Sequence, residues 1–333
     1  MRLRLRKRMR CGIAALALLL ATLEGAGTEA QTTPETVTAA HVERWMTELS
    51  NWGRWGKEDA LGTLNLLTPE RRLKALALAR EGVSVSLAHT IDKQREADNP
   101  RPLQQQLTVD GQGHAMETYS FWYHGSVITH VDALCHYAYR GKLYNGFDAS
   151  KIQQGPGCVD NGIEHQKNGI IARGVLVDLP LLRGVPYLEP GTPVNASDLE
   201  AWEKHAGIRI GPGDVVFLRT GRWARRAASG AWNVATRAAG FHASVLPWLR
   251  ARDVALLGND GVTDVQPSGV SGSLRPIHQV AIVAMGLALV DVLDLEAVSA
   301  EAAKRKRWDF LLTASVAPVL GGTGFPINPI ATF

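Results

Sequence analysis

Cysteine is scarce in this chain, with three in 333 residues, and only Cys135 and Cys158 lie beyond the first thirty, so at most one disulfide can form there. No internal repeat, low-complexity tract or Pro/Ser-rich linker interrupts residues 40–333, which excludes a string of modules and favours one continuous domain. No apolar run is long enough to span a bilayer; the longest, Gly12 to Leu23, is twelve residues. A phosphate-cradling loop is missing as well. The Gly-rich stretch GGTGFPINP, Gly321 to Pro329, lacks the Lys and the following helix of such a loop and holds two prolines, so it reads as a rigid turn.

A true excess of charge is also absent. The formal net charge is +4, yet six basic and two acidic residues fall within positions 1–30, leaving 30 of each sign in the remainder. That first segment has a basic start, a short apolar run and small residues up to Ala30, the pattern of a cleavable secretory signal peptide; the alternative is an uncleaved anchor. Cys11 precedes the apolar run, which argues against a lipoprotein attachment. The expected location is therefore periplasmic or secreted, with no membrane association after cleavage. With no basic stripe interleaved with aromatics, nucleic-acid binding is not expected. Residues 31–50 read as an N-terminal extension and 51–333 as the domain proper.

Short apolar or β-branched runs (VSVSLAHT, METYSFWYH, GIIARGVLVDL, DVVFLRT and DVALLG) read as strands. Between them, helices are expected from Thr68 with Pro69 in its first turn, from Ser197 with Glu200 three residues on, over His278 to about Leu289, and from Asp294. This alternation predicts an α/β fold with a mixed central sheet and flanking helices. Trp52 and Trp55 flank glycines in NWGRWGKED, and packing across a sheet explains them better than a substrate pocket does.

The chemistry-bearing stretch is HGSVITHVDALCH, His124 to His136. On an extended segment His130 and Asp132 share a face at period two, within reach of one ion, and His136 follows four residues later, one helical turn on. A half-buried strand with hydrogen-bonded histidines would carry the same pattern. Cys135 sits inside this stretch, where a bridge would constrain His136, so buried free thiols are expected at Cys135 and Cys158. A catalytic thiolate beside His136 is a further option that a metal site does not need.

Taken together, SNWGRWGKEDALGTLNLLTPE, THVDALCH with GKLYNG, GIIARGVLVDL, GDVVFLRTG and the tail from PIHQVAIVAMGL to GGTGFPINPIATF resemble the cyclase family, which contains bacterial kynurenine formamidases and isatin hydrolases. The resemblance runs from about Asn51 to Phe333. It implies a swivelling β/β/α fold, usually in a homo-oligomer, and a Zn²⁺- or Mn²⁺-dependent hydrolase that opens small amides or cyclic amides, with esters as a further class. The family motif HxGTHxDxPxH puts Thr129, His130, Asp132 and His136 in register, but Ser126 stands at its first histidine, Ile128 at its glycine and Leu134 at its proline. Downstream, His278 matches a ligand histidine and Asp291 stands where the family's acid is usually Glu.

The implied metal ligands are thus His130, Asp132, His278 and Asp291, with His136 as the catalytic proton shuttle. Ser126 is a poor zinc ligand and belongs to the pocket or its surroundings. His124, six residues before His130 on the same face, either compensates as a ligand or serves the pocket. The shortfall at positions 126 and 291 leaves open a family member that has lost catalysis and only binds small molecules; a metal-dependent lyase or dehydratase is a third option. Asp260 and Asp264, after the strand DVALLG, could orient ligand histidines or merely shape a turn. His41, His89, His114, His165, His205 and His242 stand outside any ligand-like spacing and read as surface or core residues.

Overall fold

Alternating apolar runs and capped helices do build an α/β structure with a mixed sheet, seen in a computed structural model that describes residues 36–333. The predicted signal peptide, residues 1–30, lies outside the described residues. In chain order the strands are β1 (Ser84–Ser86), β2 (Gln104–Val109), β3 (Ala115–Ser120), β4 (His130–Asp132), β5 (Ile170–Asp178), β6 (Pro193–Val194), β7 (Val215–Arg219), β8 (Gly240–Phe241), β9 (Leu256–Asn259), β10 (Leu289–Asp291), β11 (Asp309–Ala314), β12 (Gly324–Pro326) and β13 (Ile330–Thr332). Nine of them form one sheet in the order β1-β13-β11-β5-β7-β9-β10-β4-β12. Its centre, β5-β7-β9-β10, is parallel, and antiparallel strands close both sides. Parallel strands covered on both faces need near-continuous apolar sequence. The runs at Val175–Val177, Val215–Leu218 and Leu256–Leu257 supply it, with every one of these side chains buried.

Helix starts follow local chemistry. Thr68 caps Pro69–Leu76 by accepting from the Arg71 amide, as its sequence predicts. The helix expected from Ser197 begins at Ala196 instead, because Asn195 and Asp198, not Ser197 and Glu200, form the reciprocal cap: Asp198 Oδ2 accepts from the Asn195 amide at 2.8 Å. The helix expected from Asp294 covers Glu296–Arg305.

The expected helix from His278 to Leu289 is corrected to a π-helix, His278–Met285, followed by strand β10. Gly286 ends it in the left-handed conformation, φ 64°, against the Tyr144 ring, where a Cβ would lie 2.4 Å from Cε2. Trp52 packs on this π-helix and donates from Nε1 to the Val283 carbonyl at 2.7 Å, in keeping with a packing role. The stretch Gly321–Pro329 is not only a turn: Gly324–Pro326 is edge strand β12, paired antiparallel to β4. An edge tolerates Pro326, which has no amide to donate.

Cys135 and Cys158, expected as free thiols, are instead joined by a disulfide. The Cys135 amide donates to the Asn161 carbonyl at 3.2 Å, which draws the loop around Cys158 against the turn after β4. The bridge lies in the core while the neighbouring His136 opens to a cavity, so the two do not compete for space. Among the described residues no helix is long and apolar enough to cross a membrane.

Candidate metal centre

Strand β4 sits between β10 and β12, and its register decides the site. Asp291 of β10 lies directly opposite His130, and Gly324 of β12 lies opposite Asp132. His130 and Asp132 therefore share a face with Asp291, as period two requires. Asp291 is carried by a strand, not by the helix expected over this region. His278, at the first position of the π-helix, reaches the same point: its Nε2 is 3.7 Å from Asp132 Oδ2 and 3.7 Å from Asp291 Oδ2. His130 Nε2 is 3.7 Å and His136 Nε2 4.0 Å from Asp132 Oδ1. His136 arrives by a tight turn, with its amide bonded to the Ala133 carbonyl at 2.9 Å, in place of the helical turn expected.

His124 also comes in, with Nδ1 at 3.2 Å from Asp132 Oδ1. Gly324 makes room for it, since a Cβ there would meet the Val131 carbonyl oxygen at 2.5 Å and His124 Cε1 at 3.2 Å. Two donor triplets result: His124, His130 and Asp132, and Asp132, His136 and His278, each with its ligand atoms within 4.8 Å of one another. Ser126 lines the same cavity, and its carbonyl accepts from Arg222.

Outer partners fix which nitrogen faces inward. His130 Nδ1 donates to the Ile128 carbonyl at 2.8 Å, and His278 Nδ1 donates to Asp264 Oδ2 at 2.5 Å, so that Nε2 of each ring faces Asp132. His124 Nε2 lies 3.0 Å from Thr323 Oγ1, which leaves its Nδ1 inward. Thr263 donates its hydroxyl to Asp291 Oδ1. Thr263 and Val292, β-branched residues in the left-handed region at φ 47° and 64°, flank this carboxylate in space and in sequence. Such strain costs about 1–3 kcal/mol per residue and persists where surrounding packing imposes it.

The charges converge in a dry place. Burial works to raise the Asp132 pKa, but the imidazoles of His136, His124 and His130 outweigh it and hold the carboxyl well below the usual range. Burial drives His136 down to about 4, against the pull of Asp132. For His278 burial is overcome by Asp264 and Asp291, which raise it to about 10. Yet both carboxylate oxygens of Asp132, and Nδ1 of His124, are buried without a hydrogen-bond partner. An ionised carboxylate left bare in the interior is costly. A divalent cation among these donors supplies what they lack, and a mixed imidazole and carboxylate set suits such an ion.

Asp132 is the shared point: it joins His130 and His124 in one donor triplet and His136 and His278 in the other, while Asp291 reaches His278 at 3.7 Å and belongs to neither triplet. Of the two loop acids, Asp264 orients His278, whereas Asp260 caps the helix Arg222–Ser229 by accepting from the amides of Thr220, Gly221 and Arg222. Sequence reasoning misses Thr263, Thr323 and Arg222; single hydroxyls and a buried cation carry no spacing pattern that would single them out.

The model of the cyclase family matches residues 85–263, more than half of the chain. The chain belongs to the cyclase family. Among solved structures, one described as a novel cyclase is 28% identical with a TM-score of 0.77, the match covering 86% of this chain and 99% of that one. Isatin hydrolase A from Ralstonia solanacearum is 20% identical with a TM-score of 0.55, over 79% and 97% of the two chains. An isatin hydrolase bound to the product analogue thioisatinate is 19% identical with a TM-score of 0.54, over 79% and 98%. These two share the fold. No curated protein matches the chain. In this cyclase-family chain the matched span includes β4 and ends before His278 and Asp291, so the last two donors come from the part beyond the family match.

Proposed function

We propose that this protein is an exported metal-dependent hydrolase that opens a small amide or cyclic amide, using Zn²⁺ or Mn²⁺. One observation carries the reading: Asp132, with both oxygens bare, lies among the imidazoles of His124, His130, His136 and His278 at the floor of a cavity of about 630 Å3. His130, Asp132, His278 and Asp291 would hold a divalent cation, which when bound would supply Lewis-acid polarisation of a carbonyl and lower the pKa of water.

The chain's own groups do the rest. His136, the most open of the four imidazoles, is neutral at neutral pH because burial lowers its pKa to about 4. Neutral, it can take a proton from water and return it to the leaving nitrogen. Asp264 and the Ile128 carbonyl keep the Nε2 atoms of His278 and His130 aimed at Asp132. The basic, apolar start of the sequence and the Cys135–Cys158 disulfide both suit an oxidising compartment outside the cytosol.

The test combines elemental analysis of dialysed protein with a screen against formanilide and isatin. A near-stoichiometric ion and ring or amide opening are expected. Absence of any ion would turn the assignment to a small-molecule binding protein, and an ion without hydrolysis of either probe to a lyase.

A further inference from the structure

The walls of the same cavity carry more charge than its floor explains. Five lining residues bear full charges: Asp98, Arg101, Asp132, Arg275 and Asp291. Asp132 and Asp291 would be balanced by the divalent cation of the proposed site. Asp98, 3% exposed, is neutralised from behind by Arg222 at 3.2 Å and Arg226 at 2.8 Å. Two guanidiniums remain, and among the described residues neither Arg101 nor Arg275 has a carboxylate within ion-pair distance. Arg101 is exposed and lies over the Trp122 ring, 4.6 Å from its centroid. Arg275 is half-buried, three residues before His278, and among the described residues its guanidinium makes no hydrogen bond, only its backbone carbonyl accepting from the Gln279 amide.

A half-buried guanidinium that lines a cavity, with its donors open to it and no protein acceptor, is free to bind a ligand there. Arg275 is also close to the reacting centre. Arg275 lines the same cavity as Tyr137, whose ring is 5.8 Å from that of His278. A cation with free donors, on the wall of a cavity whose other charges are all matched, complements an anion.

We propose that the substrate carries a carboxylate set apart from the reacting carbonyl, and that Arg275 is the specificity-determining residue that binds it, with Arg101 as a second cationic contact at the mouth. This rests on the hydrolase reading of the cavity and names its substrate class. The guanidinium fork binds a carboxylate through two parallel hydrogen bonds, which a lysine cannot reproduce.

Calorimetric titration of the zinc-loaded protein with N-benzoylglycine and with its neutral counterpart N-benzoylglycinamide tests this by affinity. The carboxylate is expected to bind about tenfold tighter than the amide. Arg275→Gln should erase that preference while zinc content and affinity for the neutral probe stay as they were, and Arg275→Lys should keep only part of it. A preference that survives Arg275→Gln and disappears when zinc is stripped would show that the metal reads the anion, and would overturn the proposal. Equal binding of the two probes, or no binding of either, overturns it too. The hydrolase reading fails separately: a charge preference without hydrolysis of any amide leaves Arg275 in its role and removes the catalysis, whereas hydrolysis indifferent to charge does the reverse.

Discussion

His278 and His136 both reach Asp132, at 3.7 and 4.0 Å, and they are held by different means. His278 is 1% exposed, begins a buried π-helix and has Nδ1 locked by Asp264, which also accepts from the Ile277 amide. The side chain of His136 is 25% exposed, comes from a turn, and is steadied mainly by stacking on His124, with ring centroids 4.0 Å apart and planes within 11°. An imidazole whose far nitrogen is fixed offers one lone pair in one direction, as a ligand must. One held by its face can exchange protons without disturbing its anchor. The difference in tethering therefore separates holding from proton transfer within a set of chemically similar side chains.

Asp132→Asn should break both sides at once, since all four imidazoles point at this carboxylate. Metal affinity is expected to fall well beyond the roughly ten- to hundredfold that outer partners of a ligand carry. Elemental analysis after dialysis should find the variant empty and inactive; a stoichiometric ion would mean that Asp132 is not the hub. His136→Ala should separate the sides. Metal content stays as in the parent while turnover drops by about a hundredfold or more. Metal loss in this variant would move His136 from shuttle to ligand.

Asp264→Asn probes the tightly held side alone. It frees His278 Nδ1 from its anionic acceptor, and metal affinity should weaken by roughly ten- to hundredfold. Competition with a chelator measures it, and an unchanged affinity would mean that π-helix packing, not Asp264, fixes the His278 ring.

The held side is the more legible in the sequence. Period two alone sets His130 and Asp132 on one face, and the central strands stand out as apolar runs at Val175, Val215 and Leu256. What pattern cannot supply is pairing over distance. Gly324–Pro326 looks like a turn because proline and glycine dominate it locally, yet β4 offers it an edge, and a long-range ladder outweighs local preference. The end of the π-helix escapes sequence reasoning because Gly286 is demanded by Tyr144, a neighbour 142 positions away in sequence. Spacing places His124 on the right face but not at the right depth, which depends on the space that Gly324 leaves.

The looser side has one firm anchor, and it is covalent. The disulfide ties Cys135, the residue before His136, to Cys158 across 23 positions of chain. Closing a loop of that size stabilises a fold by about 3 kcal/mol, mainly by restricting the unfolded chain. Replacing both cysteines by serine should therefore lower stability by about that amount in a denaturant titration. Its effect at the centre should be small and one-sided. The backbone of Ala133 to Cys135 remains pinned by the Thr323, Ala133 and Asn161 carbonyls, which accept from the amides of Ala133, His136 and Cys135, so turnover should fall by less than about tenfold. Metal affinity should not change, because Asp264 and the Ile128 carbonyl, which fix the rings of His278 and His130, lie outside this loop. A double serine variant that loses its metal would show that the two sides are one mechanical unit, and the separation of holding from proton transfer would fail with it.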